Sequence, residues 1–274
     1  MANLQQIQLA TPGTSLEGLI LAMAYLNEIF VFLLGACIGS FLNVCIYRLP
    51  REESVVYKPS HCPGCGNKLG VPDLVPILSY VFLRGRCRHC GSQISAQYPL
   101  VELITALLFL AAYITWGISW HTASMWVFLA VLVSVSVVDI HYRIIPDEIL
   151  VVGTILGLPL ILLTSISDLI SGLIGFFAAG LLLLAIAVAS RGGMGGGDIK
   201  LSAVMGLFLG WQGVAVALFL SFLFGGIAGI LLLVTRIKGR KDAVPFGPYL
   251  ALGALVAVFY GQRIITWYMG LSGL

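Results

Sequence analysis

The sequence predicts an all-α polytopic membrane protein with about eight transmembrane helices and one small polar insert after the first helix. Three observations lead to this fold class. Of the 274 residues, 59% are hydrophobic and 10% are charged, with a mean hydropathy of +1.02, whereas a soluble domain is about 25% charged. The apolar residues form runs long enough to span a bilayer. The basic residues fall mainly in the connections between those runs.

The apolar runs define the predicted helices, because a span needs about 20 mainly apolar residues. No Lys or Arg precedes the first run, which indicates a retained span and not a cleaved signal. The stretch Ile199–Thr235 is too long for one span, so we predict a division at Gly210–Gly213 that leaves a short sixth helix. The other predicted spans are Ile29–Tyr47 (with Leu16–Leu26 as an interfacial lead-in), Pro99–Gly117, Thr122–Asp139, Ile149–Thr164, Leu169–Ser190 and Phe246–Tyr268.

The basic residues predict the orientation, because cytoplasmic loops carry an excess of Lys and Arg. With the N-terminus outside, 14 of the 15 basic residues fall on the cytoplasmic side and only Arg263 falls outside. The cytoplasmic set is Arg48, Arg51, Lys58, Lys68, Arg84, Arg86, Arg88, Arg143, Arg191, Lys200, Arg236, Lys238, Arg240 and Lys241. This set is spread over several loops, so the net charge of +3 does not indicate nucleic-acid binding.

One connection, from Arg48 to Tyr98, is far longer than an ordinary helix–helix loop and must carry structure of its own. It holds two Cys-x2-Cys pairs, Cys62 with Cys65 and Cys87 with Cys90, each followed directly by glycine. This pattern is typical of a four-thiolate zinc site. Two disulfides are the alternative, but stable disulfides are rare in the reducing cytoplasm. Four thiolates leave zinc no open position, so we expect a structural ion.

Two acids stand at the ends of predicted membrane helices on the same side. Asp139 ends the third predicted span, and Asp198 follows the glycine run 192–197. Charged residues inside apolar runs are costly and usually functional. From spacing alone, two purely structural roles stay open. Asp198 could be a helix N-cap, and Asp139 could be an interfacial anchor paired with Arg143.

Three other acids are ranked lower. Asp147 and Glu148 follow Pro146 and suit the first turn of a helix, and Asp147 is kept as a supporting residue. Glu102 begins the second predicted span on the cytoplasmic side, where a helix-start role is expected and contact with the site is the alternative.

Two carboxylates that share one proton can catalyse amide hydrolysis. The ionised member takes a proton from water as the water attacks the carbonyl, and the protonated member hydrogen-bonds the developing oxyanion. The glycine run lets backbone approach a substrate closely. Asp139 and Asp198 therefore suit a membrane aspartic protease.

The ordered motifs resemble the prepilin peptidase family, the leader peptidase/N-methyltransferases of type IV pilus and type II secretion systems. The resemblance runs from about residue 33 to 260. It rests on Gly39-Ser-Phe-Leu-Asn-Val-Cys-Ile-Tyr-Arg-Leu-Pro50, both cysteine pairs, Tyr98-Pro-Leu-Val-Glu102, Asp139 with Pro146-Asp147, Gly195-Gly-Gly-Asp198 and Pro245-Phe-Gly-Pro248.

The resemblance implies a multi-pass protein of the bacterial inner membrane with Asp139 and Asp198 as the catalytic pair. Gly195 and Gly197 belong to the Gly-x-Gly-Asp signature, and Pro245, Gly247 and Pro248 are expected to line the substrate cleft. The substrate would be a prepilin or pseudopilin, whose basic leader is cut after a glycine. The new N-terminal residue would then be methylated from S-adenosylmethionine. No nucleotide-binding Gly-x-Gly-x-x-Gly appears. Gly39–Pro50 and the cysteine-containing insert are expected contributors to methylation, but no single residue is assigned to the methyl donor.

Three domains are expected: 1–47 with the first helix, 48–98 as the cytoplasmic zinc-binding loop, and 99–274 as the membrane-embedded peptidase. The alternative function is a transporter or proton relay, which also uses paired membrane acids.

Overall fold

The computed structural model describes residues 16–57, 59–191, 193–236 and 244–272. Within these ranges the structure is helical and has no β-strand. The helices are α1 (Leu16–Arg48), α2 (Leu78–Phe82), α3 (Gln97–Trp116), α4 (Trp120–Tyr142), α5 (Asp147–Thr164), α6 (Ile166–Ala189), α7 (Gly196–Val234) and α8 (Gly247–Ser272). Parts of several predictions lie outside the described residues. These are residues 1–15 and 273–274 of the predicted domains, Gly192 of the glycine run, and the basic residues Lys58, Lys238, Arg240 and Lys241.

Seven of the described helices, α1 and α3 to α8, are long and apolar enough to cross a membrane. The predicted all-α polytopic fold is therefore confirmed. One detail differs, because Leu16–Leu26 is not a separate lead-in but the first part of a continuous α1. No glycine or proline interrupts residues 19–34, so nothing in the sequence breaks the helix there.

Helix α7 is broken at Gly210, where φ is 70° and ψ is 173°. This left-handed φ suits glycine, and a Cβ here would lie 2.6 Å from Ser171 Oγ. Residues 211–234 return alongside α8, with Gly225 lying against Phe246. The break lies where the sequence predicted the division, so α7 supplies both a short sixth segment and the seventh.

The main core lies between α4, α6, α7 and α8. Helix α7 packs between α6 and α8, and α4 packs against α5 and α8. Phe128 of α4 stacks on Phe208 of α7, with ring centroids 4.8 Å apart. A second interface joins α1 to α3. A Cβ on Gly39 would lie 2.7 Å from the Cα of Glu102, so only glycine permits this close approach.

Seven helix termini meet at one end of the bundle. They are the ends of α1, α4 and α6 and the starts of α3, α5, α7 and α8. Three contacts join them: Asn43 of α1 with Tyr98 of α3, Asp147 of α5 with Lys200 of α7, and Asp139 of α4 with Gly247 of α8. The insert between α1 and α3 emerges at this same end.

Candidate active site and cysteine cluster

Asp139 lies in the last turn of α4 and is only 5% exposed. Its Oδ2 accepts a hydrogen bond of 2.8 Å from the backbone N–H of Gly247, the first residue of α8. A Cβ on Gly247 would lie 2.7 Å from that oxygen, so the contact requires glycine. Arg143 forms no ion pair with Asp139 in the described ranges; its backbone N–H donates to the Asp139 carbonyl and closes the last turn of α4. The interfacial-anchor alternative is not supported.

Asp198 lies in the first turn of α7 and is half-buried. Gly195 is the N-cap residue, which makes Asp198 the third residue of the helix and not its cap. A Cβ on Gly195 would lie 3.2 Å from Asp198 Oδ2, and one on Gly197 would lie 2.8 Å from the Cβ of Ile145. The glycine run thus lets the start of α7 lie against the α4–α5 connection.

The two carboxylates are close enough to interact electrostatically. They come from opposite helix ends, because Asp139 ends α4 and Asp198 opens α7. A helix N-terminus favours negative charge, and two such termini, those of α7 and α8, face this pair. The arrangement can hold one proton between two carboxylates and activate a water molecule.

Asp147 begins α5 and forms an ion pair with Lys200, two residues after Asp198 along α7. The distance from Nζ to Oδ2 is 2.6 Å, and both side chains are more than half exposed. This contact ties the start of α5 to the first turns of α7 beside the paired acids.

The segment before α8 contains Pro245 and Pro248 on either side of Gly247. Phe246 packs on Phe222 of α7, with ring centroids 5.3 Å apart. This packing fixes the start of α8, from which Gly247 donates to Asp139.

The four insert cysteines converge on one point, with sulfur atoms that all lie within 4.8 Å of one another. Each pair forms a tight turn in which a glycine N–H donates to the first cysteine's carbonyl, and Gly66 and Gly91 both have φ of 71°. A tetrahedral ion with metal–sulfur distances of about 2.3 Å places its sulfurs about 3.8 Å apart. The Cys62 and Cys90 sulfurs are 3.9 Å apart. No described cysteine is disulfide-bonded, so the cluster fits a metal ion.

Ser92 favours thiolate at two of the four cysteines. Its hydroxyl lies 3.6 Å from the Cys62 sulfur and 3.1 Å from the Cys90 sulfur. Chiefly through hydrogen bonding from Ser92, the pKa of Cys62 is lowered to about 6, and the pKa of Cys90 is also lowered. Although hydrogen bonding from the Asn67 backbone lowers it, the pKa of Cys65 is instead raised to about 11 by desolvation and the neighbouring thiols. Metal ligation requires the deprotonated thiol.

An ion pair stabilises the insert outside the cluster. Asp73 accepts from the backbone N–H of Gly70 at 3.1 Å and from Arg88 Nε at 2.8 Å. The Gly70 hydrogen bond and then Arg88 hold the pKa of Asp73 below its usual range. Because Arg88 lies between Cys87 and Cys90, the pair joins the linker to the second cysteine turn.

Two polar residues are buried where the insert joins the bundle; from the sequence, Glu102 ranked low and Asn43 was not singled out. Glu102 lies in the second turn of α3, is 7% exposed, and accepts the N–H of Ile77 at 2.7 Å. The expected helix-start role is therefore wrong, because α3 begins at Gln97 and carries Glu102 inward. Asn43 is 2% exposed and donates to the Tyr98 carbonyl at 3.0 Å. Both lie in motifs noted above, but only their burial marks them.

Comparison with known proteins agrees with this layout. Residues 33–116 match the bacterial peptidase A24 N-terminal domain, and residues 126–230 match the type IV leader peptidase family. The first match contains α3 and the cysteine insert, and the second contains both Asp139 and Asp198. No solved structure gives a significant match.

Three relatives, each named prepilin leader peptidase/N-methyltransferase, illustrate the similarity. The Bacillus subtilis protein is 39% identical over 246 residues, covering 88% of this chain and 98% of the relative. The Aeromonas hydrophila protein is 37% identical, with 87% and 92% covered. The Pseudomonas aeruginosa protein is 33% identical, with 88% and 93% covered. By this similarity over nearly the whole length of its relatives, the chain belongs to the type IV leader peptidase family.

Proposed function

We propose that the protein is a prepilin leader peptidase and N-methyltransferase in which Asp139 and Asp198 are the catalytic pair. The observation that carries the assignment is the Asp139 carboxylate, buried at a helix end, held by Gly247 N–H and interacting with Asp198. Six further residues support the pair by fixing the starts of α5, α7 and α8 around it. They are Asp147, Gly195, Gly197, Pro245, Gly247 and Pro248.

Cleavage follows from a proton shared by the two acids. The ionised carboxylate takes a proton from water as the water oxygen bonds to the scissile carbonyl carbon. The protonated carboxyl donates a hydrogen bond to the oxygen on which negative charge develops. The carbon–nitrogen bond then breaks, and the departing amine takes up a proton from the pair.

The substrates are prepilins or pseudopilins, whose basic leader is cut after a glycine. We place the protein in the bacterial inner membrane with this end of the bundle facing the cytoplasm. The segregation of Lys and Arg supports this orientation, and the seven apolar helices support membrane embedding. The bilayer is thus its second partner, and nucleic acid is not one.

Methylation of the new N-terminus uses the amine that cleavage exposes. S-adenosylmethionine supplies an activated methyl group. The amine lone pair bonds to the methyl carbon as the carbon–sulfur bond breaks, its electron pair stays on sulfur, and the amine proton passes to solvent.

Zinc is the ion we assign to Cys62, Cys65, Cys87 and Cys90, in a structural role. The distances between sulfurs and the four-thiolate donor set support this choice. The three predicted domains, 1–47, 48–98 and 99–274, are retained as part of the proposal.

The test measures cleavage of a purified prepilin by the protein in detergent, comparing Asp139→Asn and Asp198→Asn with wild type. Asparagine keeps the size but cannot share the proton, so each variant should lose at least about a thousandfold in rate. Asp168→Asn is the matched control, because Asp168 is exposed at the opposite end of the bundle in the first turn of α6. Near-normal cleavage by either Asp139→Asn or Asp198→Asn would refute the catalytic pair.

The transporter alternative is not favoured. It expects paired acids near the bilayer midplane on broken helices, whereas Asp139 and Asp198 lie at helix ends.

A further inference from the structure

A cavity of about 590 Å³ lies between the end of α1, the start of α3, the end of α4 and the insert. Its volume falls in the range of small-molecule sites. Neither Asp139 nor Asp198 lines it, so the peptidase pair leaves its purpose unexplained. Tyr47, Tyr98 and Tyr142 give it aromatic walls, and Cys62 and Cys87 lie on the side of the insert.

Asn43, one of the residues that line this cavity, has an acceptor without a partner in the described ranges. Its amide nitrogen donates to the Tyr98 carbonyl, which fixes the orientation of the side chain. Its Oδ1 is fully buried and has no hydrogen-bond partner in the described part of the chain. Buried polar atoms are almost always hydrogen-bonded. A buried acceptor at the wall of a ligand-sized cavity therefore indicates a donor N–H or O–H on the ligand.

Glu102 adds a buried carboxylate to the lining of the cavity. It forms no ion pair with any described Lys or Arg side chain. The Ser40 side chain lies near the carboxylate, and Oε2 accepts from the N–H of Ile77, whose φ of 63° is unfavourable for a β-branched residue. The fold thus keeps a strained turn against a buried carboxylate. Burial of a carboxylate is costly unless a positive charge or several hydrogen bonds compensate, so this wall suits a cationic ligand group.

A cation, Arg51, also lines the cavity. The Arg51 guanidinium lies 3.9 Å from the centroid of the Tyr47 ring and 5.4 Å from that of Tyr142. A guanidinium held on aromatic faces can bind a ligand carboxylate. The cavity therefore offers an acceptor, an anion, a cation and flat aromatic surfaces to one small molecule.

We propose that this cavity binds the methyl donor, an adenosyl sulfonium with an amino-acid tail. Asn43 accepts a hydrogen bond from the donor, Glu102 faces the sulfonium, Arg51 binds the carboxylate, and the tyrosines pack on the adenine. The inference rests on the proposed methyltransferase activity and assigns residues to it.

The position of the cavity also connects the two reactions. The last turn of α4 carries Asp139 toward α8, whereas His141 and Tyr142 line the cavity. The aspartates and the donor site are therefore at the same end of the bundle, joined by the last turn of α4. Glu102 is buried in α3, whereas Arg51 is exposed after the end of α1, which is why we assign the sulfonium to Glu102.

The first experiment measures binding of S-adenosylmethionine and of S-adenosylhomocysteine, which lacks the sulfonium charge, to the full chain in detergent by isothermal titration calorimetry. Asn43→Leu should weaken both ligands by about ten- to a hundredfold. Glu102→Gln should weaken S-adenosylmethionine by about tenfold and S-adenosylhomocysteine by about twofold or less, because only the former carries the charge. A purely structural role for Glu102 would weaken both equally, which would overturn its assignment.

Asn27→Leu is the matched control, because Asn27 is exposed on the same helix about 24 Å toward its other end. It should bind both ligands as wild type does. Prepilin cleavage by every variant serves as the folding check. Wild-type affinity in both Asn43→Leu and Glu102→Gln would overturn the site.

A second measurement needs no substitution. Tritiated 8-azido-S-adenosylmethionine, photolysed on the wild-type protein, should label peptides that contain residues 40–51, 97–102 or 139–142. Label confined to segments that do not line the cavity would overturn the proposal. If wild type methylates a pre-cleaved pilin but the label lies elsewhere, only the site is wrong; if wild type neither binds the donor nor methylates, the methyltransferase function fails as well.

Discussion

In the C-terminal bundle, Asp139 and Asp198 lie on helix ends that pack on a continuous apolar core. In the N-terminal half, the polar groups are instead held in place by a cysteine cluster, an ion pair and a strained turn. Phe128, Met205 and Leu250 are fully buried beneath the acids. Among the described residues of the insert, the buried apolar side chains are those of Cys62 and Cys87. A segment without a core must be fixed by local cross-links. The two halves should therefore fail separately when each is disturbed.

The largest effect is expected at the contact between α4 and α8. Gly247→Val would place a side chain 2.7 Å from Asp139 Oδ2, so the carboxylate must move. We expect prepilin cleavage to fall by more than about a hundredfold, while methylation of a pre-cleaved pilin stays near wild type. Gly226→Val is the control, since a Cβ there meets nothing within 4 Å. Normal cleavage by Gly247→Val would show that this contact does not position the acid.

Disruption of the cysteine cluster should have the converse effect. Cys62→Ser removes one of four thiolates and should lower metal affinity by about a hundredfold or more, measured as metal content after dialysis. Because Cys62 lines the cavity, binding of the methyl donor should fall with it, and cleavage should fall less. Cys45→Ser, in α1 and outside the cluster, is the control. Unchanged metal content would refute the four-thiolate site, and equal loss of cleavage would refute the independence of the halves.

Asp73→Asn tests the ion pair that fixes the second cysteine turn. Arg88 is half exposed in this pair, and such pairs contribute little free energy. We expect metal to be lost about fivefold faster to a chelator, with cleavage unchanged. A change in cleavage larger than the change in metal loss would contradict this assignment.

The smallest effect is expected for Asp147→Asn. This variant removes an ion pair in the C-terminal bundle, as Asp73→Asn removes one in the insert. The ion pair of Asp147 with Lys200 is exposed on both sides, so cleavage should fall by about twofold at low salt and recover as salt screens the pair. Metal retention should not change. A loss as large as that of Asp139→Asn would instead place Asp147 in the catalytic machinery.

Much of the fold was predictable from local patterns. Apolar runs predicted the spans to within a few residues, because a segment that crosses a bilayer must satisfy its backbone hydrogen bonds internally and so forms a helix. Gly210 marked the break in α7. The exception was α1. It includes Leu16–Leu26, because no glycine or proline in residues 19–34 ends the helix there.

The candidate sites were predictable in composition but not in geometry. The spacing of the cysteines indicated their convergence. The pairing of Asp139 with Asp198 needed only the span count and the resemblance. The Gly247 N–H contact, the Lys200 ion pair and the burial of Glu102 could not be predicted, since each joins segments distant in sequence.

The sequence by itself determined the membrane-spanning helices, the cysteine cluster and the family, because these depend on residue type and on spacing along one segment. Only the tertiary structure decided which groups face one another across helix ends. It placed Gly247 N–H on Asp139, and it brought Asn43 and Glu102 to one buried cavity, because side-chain partners are chosen by packing between helices and not by neighbours in the chain.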